Sequence, residues 1–136
     1  MKEKIFVDTD IIYDLLAKRE PFYQSAAHLF TLADEEKITI AVSALSFANI
    51  HYLISKQLSN QKAKNILRTF RILVQIAPID DKIIDLALNS DFPDFEDAIQ
   101  YYCALESESQ VLLTRNLKDY KKAEIPVMTA QDFTNL

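Results

Sequence analysis

Three short apolar runs stop abruptly at polar residues, and this pattern constrains the fold more than any other feature of the chain. Ile5-Phe6-Val7 ends in Asp8-Thr9-Asp10, Ile40-Ala41-Val42 ends in Ser43, and Val111-Leu112-Leu113 ends in Thr114-Arg115-Asn116. The first two lead directly into segments of helical spacing. Short apolar runs rich in β-branched residues are strands buried on both sides, and their alternation with helices implies a parallel sheet covered on both faces. In such a sheet the strand ends share one edge, so the polar residues there converge on one crevice.

The periodicity predicts strands at about 4–8, 38–42, 74–76, 111–113 and 127–128, and helices at about 10–18, 21–35, 44–57, 60–73, 81–89 and 95–107. Ser43, Asp80 and Asp94 are the expected N-caps of the helices that follow them. The helix at 44–57 is apolar almost all round, through Ala44, Leu45, Phe47, Ala48, Ile50, Tyr52, Leu53 and Ile54, and is expected to be buried. Lys62, Lys64, Arg68 and Arg71 mark the wet side of the next helix. A length of 136 residues suits a single domain over 1–136.

Glycine is absent altogether, which excludes the Gly-rich phosphate loop and the dinucleotide fingerprint. Turns are therefore expected to use Asn, Asp, Ser and Pro. A formal net charge of −5 excludes binding of nucleic acid by bulk charge, so any such role needs a local patch, bridging metal ions or a partner. The lone Cys103 excludes an internal disulfide framework. With no apolar run long enough to span a bilayer and no room for a signal peptide, a cytoplasmic protein is expected.

Asp8 and Asp10 are either helix caps or metal ligands; two acids flanking a threonine directly after a buried strand fit both. Asp94, Glu96 and Asp97 are similarly placed. Asp94 and Asp97 resemble a capping box, yet three carboxylates in four residues exceed what a cap needs, and their repulsion raises their pKa values unless a cation is present. Asn49 lies mid-helix among apolar neighbours, where its amide either bonds internally or faces the crevice. His28 and His51 have no ligand spacing to another His or Cys, which argues against zinc. Ser43 and Ser46 belong to no Ser-His-Asp pattern. Arg115, Lys118, Lys121 and Lys122 form either a solvated face or, beside a metal crevice, phosphate contacts.

Together these residues resemble the PIN domain, and in particular the small VapC-like toxin ribonucleases. The resemblance covers nearly the whole chain. It is carried by Phe6-Val7-Asp8-Thr9-Asp10, Val42-Ser43-Ala44-Leu45-Ser46, Glu96-Asp97-Ala98, Leu113-Thr114-Arg115-Asn116 with Asp119-Tyr120, and Pro126-Val127-Met128-Thr129-Ala130 with Phe133. It implies a three-layer α/β/α fold around a parallel sheet of four to five strands. It also implies hydrolysis of RNA phosphodiesters with Mg²⁺ or Mn²⁺, as the toxin of a toxin–antitoxin pair, with an antitoxin protein and a second copy of the chain as partners. Asp8 and Asp97 would be catalytic and hold metal with Asp94. Asp10, Asn49, Glu96, Thr114, Asn116 and Asp119 would support the site, and Arg115 and Lys118 would contact phosphate. Asn49 stands where the family usually carries Glu, Asn116 where it often carries Asp, and Asp10 where Asn is frequent.

The substitution at Asn49 keeps a second reading open, a PIN-fold binding module of weakened or lost nuclease activity. A third is an Asp-nucleophile phosphatase, since Val7-Asp8-Thr9-Asp10 also resembles the opening motif of the haloacid-dehalogenase-like enzymes. That family closes its site with a late acidic motif, often Gly-Asp, and no clear equivalent follows Thr114.

Overall fold

Each apolar run takes its place in one wholly parallel sheet, ordered β3-β2-β1-β4-β5. The strands are β1 (Glu3–Val7), β2 (Ile38–Ser43), β3 (Gln75–Ala77), β4 (Val111–Leu113) and β5 (Val127–Met128). The structure, a computed structural model, describes residues 2–136. Register pairs Ile5 with Ile40 and Val111, so the three central strands end nearly level.

Strand alternation divides the core. Ile5, Val7, Ile40, Val42, Val111 and Leu113 face one layer, and Phe6, Ala41 and Leu112 face the other. The first layer holds α1 (Thr9–Leu16), α2 (Tyr23–Asp34), α3 (Ala44–Gln57), α4 (Asn60–Arg71) and the short α7 (Ala130–Thr134). The second holds α5 (Asp81–Leu88) and α6 (Phe95–Glu106). The result is the three-layer α/β/α arrangement the resemblance implied. The chain steps outward from β1 to β3 with helices on the first face, then crosses back on the second face to enter β4 beside β1. Strand order therefore reverses between β1 and β4, where open α/β sheets place a binding crevice.

Side chains start most of the helices. Asp8, Ser43, Ser59, Asp80, Asp94 and Thr129 each accept a backbone N–H of the helix they precede. The ends depart from expectation. Where glycine would close a helix, Lys18, Glu36 and Glu108 adopt left-handed backbones at φ 53°, 60° and 61°. Each is followed by a residue whose N–H reaches the carbonyl five positions back (Arg19 to Asp14, Lys37 to Leu32, Ser109 to Ala104), which is the Schellman closure. A Cβ in that region costs roughly 1 kcal/mol, so the chain closes three helices at a cost glycine would avoid.

The α3 helix is not buried all round. Ile50 and Ile54 pack inward, while Ala44, Ala48 and Tyr52 are exposed, Tyr52 by 61%. Its apolar residues serve both the core and the rim of the crevice. Among the described residues no helix is long and apolar enough to cross a membrane.

Candidate active site

The crevice at the β1–β4 reversal has a volume of about 490 Å³. It is lined by Asp8, Thr9, Asp10, Asn49, Glu96, Asp97, Gln100 and Asn116, with Tyr13, Arg19, Leu45, Tyr52 and Leu53 along one side. Six residues singled out in the sequence thus meet there, delivered by β1, α1, α3, α6 and the segment after β4.

Asp8 is its hub. Its Oδ1 accepts from the Thr9 N–H at 2.8 Å and Gln100 Nε2 at 3.0 Å. Its Oδ2 accepts from Thr114 Oγ1 at 2.9 Å and the Tyr120 hydroxyl at 3.0 Å. A carboxylate has about four acceptor positions, and all are filled from within the protein. Asp8 is therefore both the cap of α1 and the knot that ties α1, α6 and the end of β4 together. Ser46 extends the network, with Thr9 Oγ1 at 2.7 Å and Gln100 Nε2 at 3.0 Å.

Asp10 is anchored through Oδ2, which accepts the Arg115 N–H at 2.9 Å, while its Oδ1 is buried without a partner. Burial first, and then the charge of Asp8, pushes Asp10 up to about 6. Asp97 rises to about 7, through burial and then the charges of Asp8, Asp94 and Asp119. Tyr120 lies between the two acids, 3.0 Å from Asp8 Oδ2 and 3.3 Å from Asp97 Oδ1. The hydroxyl donates to Asp8 at the shorter distance and to Asp97 at the longer, and its bond to Asp97 offsets part of that acid's rise.

Both raised groups sit above the ordinary carboxylate value, so over that range the native state binds more protons than the unfolded chain. Their contribution to stability is complete below about pH 4 and is lost as pH rises through 6 and then 7. In chelator, the melting temperature is expected to fall by a few degrees from about pH 5 to pH 8, and Asp97→Asn to flatten that fall. A melting temperature that climbs across the interval would contradict this electrostatic picture.

Not every candidate converges. The Asp94 carboxylate caps α6 by accepting the Asp97 N–H at 3.0 Å; it does not line the crevice and acts on it through charge. Asp119 likewise acts on Asp97 through charge. Thr114 is buried beneath Asp8. Lys118 is exposed on a 3₁₀ turn, Leu117–Tyr120, outside the crevice lining. Arg115 anchors Asp10 through its backbone N–H, but its side chain turns away from the crevice. Its guanidinium donates to both oxygens of buried Asp14, at 2.8 and 3.2 Å, and lies 3.9 Å from the centre of the Phe22 ring. Gln100 and Tyr120 join the site without a signal of their own among the candidate residues. Gln100 lies one helical turn beyond Asp97, and that spacing could have found it.

The donor set suits a hard divalent cation. It offers oxygen ligands, two acids raised by burial and then by neighbouring carboxylates, and unpartnered acceptors at Asp10 Oδ1 and Gln100 Oε1. Among the described residues no three His, Cys, Asp or Glu side chains are disposed to hold an ion by themselves. Neutral oxygens would have to complete the shell, as suits a Mg²⁺-like ion that uses one or two carboxylates and keeps several waters.

Comparison with known proteins bears on the family and the fold. The family model described as PIN domain matches residues 4–118. Ribonuclease VapC1 of Aquifex aeolicus (strain VF5) is 24% identical over 136 residues, covering 96% of this chain and 93% of that protein. A toxin–antitoxin complex from Klebsiella pneumoniae contains a chain 25% identical, with a TM-score of 0.68 over 93% of this chain and 97% of that one. VapBC2 from Rickettsia felis, bound to a DNA fragment from its promoter, shares the fold at 19% identity, with a TM-score of 0.67 over 92% of this chain and 96% of that chain.

Proposed function

Because this chain belongs to the PIN domain family, whose model spans residues 4–118, we propose that it is a metal-dependent endoribonuclease and the toxin half of a toxin–antitoxin pair. The observation that carries the reading is the cluster of Asp8, Asp10, Glu96 and Asp97 in one crevice at the β1–β4 reversal. The likeness to a ribonuclease and to a toxin–antitoxin complex supports the activity and the antitoxin partner. Association with a second copy of the chain and work in the cytoplasm belong to the same reading.

Asp97 and Asp10 would hold Mg²⁺ or Mn²⁺, with Asn49, Gln100 and Asn116 as neutral oxygens at the same crevice; of the other ligands the resemblance implied, Asp8 has both oxygens engaged within the protein and Asp94 caps α6 outside the lining. When bound, the ion supplies charge neutralisation at the phosphate and a lowered pKa for the attacking water. Asp8 keeps the acids in register through Gln100, Thr114 and Tyr120. Tyr120 passes hydrogen-bond polarity between Asp8 and Asp97, and Glu96 at the mouth can accept a proton from an approaching water. The phosphatase reading loses its support, because a nucleophilic Asp8 needs an oxygen free to attack and both of its oxygens are doubly engaged.

Incubation with single-stranded RNA, with Mn²⁺ and then with chelator, tests the proposal. Cleavage that survives chelation, or no cleavage under any divalent ion, would defeat it. The neutral Asn49 makes the ion's hold weaker than three carboxylates would. Asn49→Glu is expected to tighten Mn²⁺ roughly tenfold by calorimetry, within the range one added ligand supplies. An unchanged affinity would mean that position 49 does not reach the ion.

A further inference from the structure

The crevice has one acidic side and one of a different character. Along the α1–α3 rim stand Tyr13, Arg19 and Tyr52, and Arg19 is the only cation among the lining residues. Arg19 owes its position to the Schellman closure of α1, in which its N–H bonds the Asp14 carbonyl at 3.0 Å and turns the chain back over the helix. Its guanidinium carbon lies 5.0 Å from the centre of the Tyr13 ring, and Tyr13 is held in turn by Gln57 Nε2 at 2.9 Å from its hydroxyl. The acid nearest Arg19 is Asp14 at 3.8 Å, and that acid is already gripped in two places by Arg115. Arg19 therefore has a side chain 45% exposed and donors to spare.

Tyr52 is the most exposed aromatic residue, at 61%, and Lys56 lies 4.9 Å from its ring centre one turn further along α3. An exposed ring alone means little. Here two rings, Tyr13 and Tyr52, and one cation, Arg19, border the same crevice as the acids, with Lys56 behind the Tyr52 ring. Single-stranded nucleic acid is held by this combination: aromatic faces for bases and cations for the backbone.

We propose that this rim seats the nucleotide next to the cleaved phosphate, with Tyr52 as the platform for its base and Arg19 as the contact for its flanking phosphate. The inference rests on the ribonuclease reading and adds to it the side from which the strand enters. It also accounts for RNA reaching an acidic crevice on a chain of net charge −5, because the needed positive charge is local. The base must be unpaired to lie on Tyr52, so the substrate segment is single-stranded.

The test uses the full chain with Ca²⁺ in place of the catalytic ion and a fluorescein-labelled single-stranded oligoribonucleotide, read by anisotropy. Arg19→Ala is expected to weaken binding roughly tenfold and to reduce the slope of log affinity against log salt by about 0.7, one phosphate contact on a single strand. Tyr52→Ala is expected to weaken binding roughly tenfold with the salt slope unchanged, while Tyr52→Phe binds as the parent does. Melting curves verify that both alanine variants fold. If the parent binds and cleaves RNA but both alanine variants bind it equally well, the inference is overturned and the ribonuclease reading stands. An RNA duplex that competes as well as the single strand also overturns it. If the parent neither binds nor cleaves RNA under any divalent ion, the ribonuclease reading falls and this inference with it.

Discussion

Replacing Asp8 by Asn is expected to reduce RNA cleavage at least about a thousandfold, equivalent to about 4 kcal/mol of transition-state stabilisation, while the protein stays folded. Asp8 accepts two rigid N–H donors on Oδ1 and two hydroxyl donors on Oδ2. An Asn side chain can keep its oxygen toward Thr9 and Gln100 and turn its amide toward Thr114 and Tyr120. Both hydroxyls can rotate to accept, so no buried donor is stranded. What is lost is the charge. After burial, Asp8 is the leading charged neighbour that raises Asp10 and Asp97, so the variant's chelated form should also lose part of its destabilisation between pH 5 and pH 8. Loss of cleavage, retained folding and a flattened pH profile together identify Asp8 as the electrostatic centre. Cleavage at full rate in both Asp8→Asn and Asp97→Asn would remove the proposed chemistry from this crevice.

Asp8 was legible in the sequence because a buried run that stops at an acid is a one-dimensional signal. So were the strands at β2 and β4, helix α3 and the caps at Ser43, Asp80 and Asp94, each fixed by local pattern. What remained hidden depends on non-local packing. Tyr120 reaches Asp8 only because β4 lies beside β1, and no spacing along the chain encodes that contact. Helix α3 looked buried from its composition, but a helix beside a crevice divides its apolar residues between core and rim, and Tyr52 lies on the rim. The left-handed Lys18, Glu36 and Glu108 run against residue preference, so turn chemistry could not find them. At five residues, α7 is too short to show a helical period. Arg115 is the plainest divergence. Its neighbours Lys118 and Lys121 suggested a phosphate-binding stretch, and only the folded chain reveals the buried acid at Asp14.

Arg115→Ala is accordingly expected to cost stability first, by about 3 kcal/mol, at the lower end of the range for stripping one partner from a buried ion pair. The Asp14 side chain is 2% exposed and receives the guanidinium at 2.8 and 3.2 Å. Without Arg115 it is a buried carboxylate whose remaining cation, Arg19, stands 3.8 Å away. That second arginine keeps the loss from being larger. The cation–π contact with Phe22 disappears as well, which loosens the link between the end of β4 and the start of α2. For a domain of this size the melting temperature should drop by roughly 10 °C. The double variant Asp14→Asn, Arg115→Ala should recover part of that loss, because it removes the uncompensated charge along with its partner. RNA affinity measured well below the melting point should change little. A variant that melts within a degree of the parent but binds RNA much more weakly would return Arg115 to the phosphate-contact role its sequence neighbourhood suggested, and would make Asp14 an incidental neighbour.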